Sequence, residues 1–419
     1  MIGFPLDTFM VRPAGFIIVF CLMTAFLVVA PAPARGGEFR LVPSVKVQEE
    51  YDDNIFYAAK ESQESDFVST VTPGVELKVE DPRLAASLKG SVAGISYVDN
   101  NALNAVDQFL TAGLTYMLTQ RLRTQVNLNF TQDSQPGRDV EATGLPILIT
   151  SGRARQQYNV GGDYTFSEKT ALNFSYAFYR DRYENAALAG FQAHSFGLGL
   201  NHDLSQYVPE LTGTMNVSTI RYDYPNIDVQ STTMTLGASW KYSEKVSLSG
   251  EIGPRFTRSE FEVPVTLFGF PTGRLRTETN DGQGWGGRLS YACQGLLTKW
   301  ELSLSRDLDQ ASGRSGTTER TTTGLDIARR LTEELSIGLY GGYYLNQSGA
   351  GEFASQEIDT RTWRAQPRIM YKVSQNLALQ ASYGFSMINE ESINENSGDV
   401  ERTKNVVFLE LRYEHPFFE

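Results

Sequence analysis

Apolar and polar residues alternate strictly along most of the chain. Between Tyr158 and Tyr183, the residues Tyr158, Val160, Gly162, Tyr164 and Phe166 fall on one parity, and Asn159, Gly161, Asp163 and Thr165 on the other. After a polar break, Ser167-Glu168-Lys169-Thr170, the apolar set resumes as Leu172, Phe174, Tyr176 and Phe178 against Ala171, Asn173, Ser175 and Ala177. Successive side chains of a strand point to opposite faces, so the segment predicts a β-hairpin with one greasy face and one wet face. Strands of about ten residues with aromatics crowding the ends of the apolar face have the dimensions of a transmembrane hairpin.

From Val42 onward the same unit repeats. Eight short polar connections, such as Glu80-Asp81-Pro82-Arg83, Thr119-Gln120-Arg121, Ser243-Glu244-Lys245, Thr332-Glu333-Glu334 and Ser374-Gln375-Asn376, alternate with nine longer ones rich in Gly, Asn, Asp and Pro. The longer set includes Asp53–Ser65, Gln132–Gly152, Tyr222–Ile227, Arg258–Thr277 and Asn389–Arg402. A hydroxyl opening the short turns can accept from nearby backbone amides and so favours a tight reversal. Short periplasmic turns set against long extracellular loops are the asymmetry of outer-membrane barrels. The expected fold is therefore all-β: one closed antiparallel transmembrane barrel of about 18 strands, or 16 if one hairpin is misplaced. Both termini would lie in the periplasm.

Aromatics fall at both ends of the apolar face. Tyr116, Tyr164, Trp240, Tyr242, Tyr291, Trp300 and Tyr371 sit beside the short turns, and Phe130, Phe178, Phe256, Tyr343 and Phe385 beside the loops. Rings with a polar tip suit the headgroup level of a bilayer. The last strand is placed at Asn405–Phe418 and ends in an aromatic, like the terminal signal that barrel-assembly machinery reads.

The opposite parity supplies the pore lining. Its candidate charged members are Arg153, Arg155, Arg255, Arg288 and Arg320, then Arg364, Arg368 and Arg412, with Glu251, Asp326 and Glu410 among them. A charge on the lipid face near midplane would cost about 2–4 kcal/mol, so these residues must point inward. Two readings stand. The arginines form a basic track for an anionic solute, such as an acidic sugar polymer, or they pair with carboxylates in a ladder that braces the wall. The apolar stretches Leu145–Ile149 and Val263–Phe268 sit in expected loops. Each either folds into the pore or mouth or extends its strands above the membrane.

Composition sharpens the compartment. Residues 1–34 carry Arg12, an apolar run from Phe16 to Ala30 and Pro31-Ala32-Pro33-Ala34. That is the layout of a cleaved secretory signal, leaving 35–419 as a single barrel domain. The run is shorter than the roughly 20 residues of a spanning helix. Cys293 is the one cysteine after residue 34, so no internal disulfide is available there. Asp7 and Arg12 cancel within the signal, so the mature chain keeps the net charge of −12, which argues against a nucleic-acid partner.

Catalytic chemistry finds no footing. The three histidines are His194, His202 and His415. His194 and Ser195 are adjacent in a strand and point apart, so they form no dyad. Gly-x-Ser-x-Gly and His-Glu-x-x-His are both missing, and Asp52-Asp53-Asn54 lacks the further ligands of a calcium loop. We expect no enzyme, no cofactor and no metal.

The beginning of the barrel carries a resemblance. Glu50-Tyr51-Asp52-Asp53-Asn54-Ile55-Phe56, followed by Ser65-Asp66-Phe67 and Thr72-Pro73-Gly74-Val75, resembles the opening of a β-barrel porin family of bacterial outer membranes. Many of its members accompany exopolysaccharide biosynthesis and export genes. The resemblance implies a passive channel for polar solutes in the Gram-negative outer membrane, with lipid and lipopolysaccharide around it and exopolysaccharide export components as partners. A barrel with a plugged lumen that binds a partner through its loops is the alternative. Physically, Tyr51-Asp52-Asp53-Asn54 is also a sensible strand end turning into a loop.

Overall fold

The computed structural model describes residues 37–134, 137–267, 270–349, 351–391 and 399–417. The signal reading of residues 1–34 and the terminal Phe418-Glu419 lie outside them. Eighteen strands follow one another: β1 Glu38–Asp52, β2 Asp66–Asp81, β3 Leu84–Tyr97, β4 Ala105–Met117, β5 Leu122–Asp133 and β6 Arg153–Ser167. Next come β7 Thr170–Tyr183, β8 Phe191–Asp203, β9 Leu211–Asp223, β10 Ile227–Ser243, β11 Val246–Leu267 and β12 Phe270–Gln294. The last six are β13 Thr298–Gln310, β14 Thr317–Arg330, β15 Leu335–Ser348, β16 Ile358–Lys372, β17 Leu377–Glu390 and β18 Val400–Glu414. A seven-residue helix, α1 Gly137–Thr143, lies in the connection between β5 and β6.

Each strand pairs antiparallel with its sequence neighbours, and β1 pairs with β18. The sheet is thus a closed ring of 18 strands with no edge strand. The expected 18-stranded barrel is the observed one. The opening hairpin is β6 and β7, with Tyr158 opposite Phe178 and their rings stacked at 5.8 Å. Gly162 sits beneath the Phe174 ring, where a Cβ would meet that ring and the Arg123 carbonyl. The glycine lets an aromatic cover the strand on the outer side.

The faces follow the alternation. Leu198, Leu236, Ile252 and Ile369 are among the outward residues left open to the surroundings. Tyr291 packs on Trp300 with centroids 4.8 Å apart beside one rim, and Tyr343 on Trp363 at 4.3 Å towards the other. In the short turns the predicted hydroxyls do accept backbone amides. Thr119 takes those of Arg121 and Leu122, Ser243 those of Lys245 and Val246, and Thr332 those of Glu334 and Leu335.

Three boundaries differ from expectation. The Arg258–Thr277 loop is absent: β11 and β12 stay paired up to Leu267 and Phe270, with one irregularity between Pro264 and Thr266. For Val263–Phe268, strand extension is therefore what occurs as far as Leu267. Between β9 and β10 the chain reverses tightly, closed by the Tyr224 amide donating to the Ile227 carbonyl. Finally, β18 runs from Val400 to Glu414 rather than from Asn405 to Phe418, although Phe417 still bridges to Leu41.

Candidate functional site

The loop that joins β5 to β6 folds into the barrel instead of standing above it. In an 18-strand ring, β15 lies nine strands from β6 in either direction, on the opposite wall. The loop reaches that wall. The Asn346 amide donates to the Thr143 carbonyl at 3.0 Å, the Thr362 hydroxyl donates to the Gly144 carbonyl at 2.5 Å, and the Tyr344 hydroxyl donates to the Glu141 carbonyl at 3.0 Å. Gly144 has a φ of +72°, and any Cβ there would run into Tyr344. Only glycine lets the backbone come this close with that twist.

Apolar contacts complete the anchor. Leu145 is fully buried with Ala311, Ala354 and Ile358, and Val140 packs with Tyr57 and Ile388. Of the apolar stretch Leu145–Ile149, the first three residues are buried and Leu148 and Ile149 are exposed. The inward fold expected as one option is what the chain adopts.

On the near wall the loop is held by charge. Asp139 of α1 meets both Arg153 and Arg155; Arg153 also grips Asp133, directly opposite on β5, and Arg155 grips Asp181, directly opposite on β7. Arg138 reaches Asp107 at 2.8 Å and Asp133 at 3.2 Å. Burial pushes the Asp139 carboxyl above the ordinary aspartate range, while the two arginines pull it back. Buried charges persist only where partners compensate them, and here each carboxylate has a guanidinium.

Other candidate lining residues are mostly paired too. Arg255 bonds Glu319; Arg320 bonds Asp309, the Asn346 side chain and the Gln310 carbonyl; Arg364 bonds Glu141; Arg368 bonds Asp326 at 3.0 Å. Glu251 accepts from Asn216 and Thr235, Lys46 meets Glu410 at 3.5 Å, and Arg412 pairs with Glu414 on its own strand. Arg288 differs: among the described residues it makes no hydrogen bond or ion pair. It lines a cavity of about 710 Å³ that runs down the wall from β6 to β14. Asn173, Ser175, Asn216, Ser218, Thr233 and Glu251 line the same space. The arrangement is a braced wall with neutralised arginines and a hydroxyl- and amide-rich cavity, not a continuous basic track.

Sequence reasoning missed the acidic partners. Asp133 falls in the expected loop Gln132–Gly152 and Asp181 in the expected loop Asp181–Gly190, yet each continues the inward parity of its strand and faces an arginine across the ladder. Extending the alternation by two residues would have found both. The partners on α1, Asp139 and Glu141, left no comparable periodic signal.

The motif behind the resemblance has a structural role. The Asp52 carboxylate accepts the Asn54 amide and pairs with Lys404, and Asp53 takes the Asn405 amide and side chain. Fully buried Asn54 bonds Ala58 through both ends of its amide and donates to the Thr403 carbonyl. Together they staple β1 to β18. Asp66 accepts from Phe67, Val98, Asp99 and Asn100, tying down the next loop.

His194 turns to the outer face, where its ring nitrogen lies 3.0 Å from the Tyr176 hydroxyl. His202 meets Thr170 and His415 meets Asn376, each at 3.0 Å.

Residues 29–139 match the model of the family described as "Putative beta-barrel porin 2", a span that holds the whole staple motif. No curated protein matches. Similar solved structures include OccAB4 of Acinetobacter baumannii, at 9% identity over 92% of this chain and 100% of that one, TM-score 0.47. OpdO of Pseudomonas aeruginosa is similar at 12% identity over 91% of this chain and 98% of that one, TM-score 0.45. The alcaligin outer-membrane receptor FauA of Bordetella pertussis is similar at 10% identity over 92% of this chain and 77% of that one, TM-score 0.44. The fold itself is a closed 18-stranded antiparallel β-barrel.

Proposed function

We propose that this barrel is a passive outer-membrane channel for small polar solutes, oriented with its short turns and both termini in the periplasm. The observation that carries this reading is the crossing of the lumen by residues 137–147, anchored by charge on one wall and by hydrogen bonds on the other. Such a crossbar narrows an otherwise wide cylinder, and inward charges and folded loops then select what passes. With nearly all the arginines neutralised, the lumen offers more to neutral or zwitterionic solutes than to a long acidic polymer. A place in exopolysaccharide secretion rests on the family resemblance.

The test is conductance. Purified protein in planar bilayers is expected to open in small discrete steps. Replacing residues 138–148 with a short Gly-Ser linker should enlarge them several-fold. One observation favours a second reading, a sealed surface barrel: two apolar clusters knit the loops together. Silence of both the intact and the loop-replaced protein would select it.

A further inference from the structure

One seam of the barrel wall stops short. The β12–β13 ladder ends at the pair Gly287–Arg306, although β12 continues to Phe270 and β13 to Gln310. Beyond that pair the tip of the β13–β14 hairpin steps into the lumen. Leu302 and Leu304 face outward, but Leu308, on the same parity, is buried among Phe191, Tyr222 and Val229 on the inner wall. Glu319 likewise turns in, against Arg255 and the backbone of Gly284.

The gap is bounded at both ends. Below it is the Gly287–Arg306 pair. Above it the Asn280 side chain donates to the Gly351 carbonyl at 3.0 Å, and the Phe353 ring covers Gly282. Gly282 to Gly286 spans about 13 Å of strand at 3.3 Å per residue. In this stretch Gly282, Gly284 and Gly286 put no side chain on the lumen side. Outside stands Trp285, half exposed, with the Arg306 guanidinium 4.9 Å from its ring centre. Pro254 and Phe256 sit beside it, so the gap opens at the level of the loop-side aromatic belt. Inside is the cavity, whose lining includes Gly286, Gly287, Ser305, Arg306 and Asp307.

The gap is closed by ions. Glu319 bridges Arg255 and Arg306. Arg255 is 1% exposed, yet its Nε and Nη1 have no hydrogen-bond partner, and neither has the buried Nε of Arg306. Buried donors without acceptors cost free energy, which an incoming anion would relieve.

We propose that this gap is a lateral portal between the outer leaflet and the cavity, latched by Arg255–Glu319–Arg306, and that it admits an amphiphile with an anionic headgroup. The head would enter among the arginines while the acyl chains stay in the bilayer against Trp285. This rests on the orientation given above, which puts the gap in the outer leaflet, but not on axial conduction.

The portal is tested from the membrane side. Thr233 lines the cavity, and its methyl lies 3.2 Å from where a Gly286 Cβ would be. In a Cys293→Ser background, Thr233→Cys is placed in liposomes and treated with maleimide carried on a phosphatidylethanolamine headgroup. Heat-modifiable migration checks each variant's fold, and labelling after denaturation checks the thiol. The bilayer-borne reagent should modify Cys at position 233, about tenfold faster once Glu319→Gln loosens the latch. Arg306→Ala, which opens the latch and removes a headgroup cation together, should leave the anionic reagent no faster than an uncharged diacylglycerol maleimide. No modification from the bilayer in either latch state would overturn the portal. Equal inhibition by inorganic phosphate and dodecyl phosphate would assign the arginines to a water-borne anion and overturn the lateral route. A non-conducting barrel that still labels from the bilayer would sink the channel reading and leave the portal standing.

Discussion

Two seams of this barrel differ in a way that chain connectivity does not foretell. The β1–β18 seam joins the two ends of the barrel with no covalent link, so it should be the weak point. It is instead stapled by side chains, through Asp52–Lys404, Asp53–Asn405 and Asn54–Thr403. The β12–β13 seam lies within one hairpin, held by a three-residue turn, yet its ladder lets go after Gly287–Arg306. Side chains, not connectivity, decide where the wall is strong. The staple sits where closure must be forced; the glycines sit where the wall parts.

The largest effect is expected at the staple. Asn54→Ala removes a fully buried side-chain amide with its three hydrogen bonds and leaves the Ala58 amide and carbonyl without that partner, costing about 3 kcal/mol. Chemical denaturation followed by tryptophan fluorescence would show it as a lower midpoint; an unchanged midpoint would remove the staple's claim to close the ring. Asp53→Ala, which leaves fewer groups buried and unpaired, should cost about 1–2 kcal/mol by the same measurement. Glu319→Gln should cost less, because the gap edge has few backbone bonds to lose. Its signature is local: amides of Gly282–Gly286 should exchange with solvent deuterium faster than in the parent, while those of Val47–Asp52 stay protected. Equal protection at the two seams would erase the contrast. Smallest is Thr332→Ala in a short turn at the end of the barrel opposite the staple and the gap, about 0.5–1 kcal/mol, with exchange at both unchanged.

The wall was legible in the sequence because alternation is a local signal repeated 18 times, and turn hydroxyls act within three residues. Seam and lumen were not. Leu145 is buried against Ala311 and Ile358, and Thr143 meets Asn346, partners roughly two hundred residues away that no periodicity encodes. The Arg258–Thr277 stretch looked like a loop because its prolines and glycines masked the alternation, yet the ladder runs through Pro264 opposite Leu275. Arginines announced the lining from parity alone, and the ladder reading anticipated their pairing without naming Asp133, Asp139 or Asp181 as the partners. Asp139 and Glu141 belong to a loop whose path is set by the far wall. The family motif was visible as residues and opaque as physics until β18 lay beside it.

The crossbar of residues 137–147 is the central claim, and single-channel recording tests it most directly. Small discrete steps are expected from the intact protein and several-fold larger ones when residues 138–148 are replaced by a short Gly-Ser linker, which removes the crossbar while leaving the barrel closed. Identical step size in the two proteins, with both still migrating as folded barrels, would contradict it.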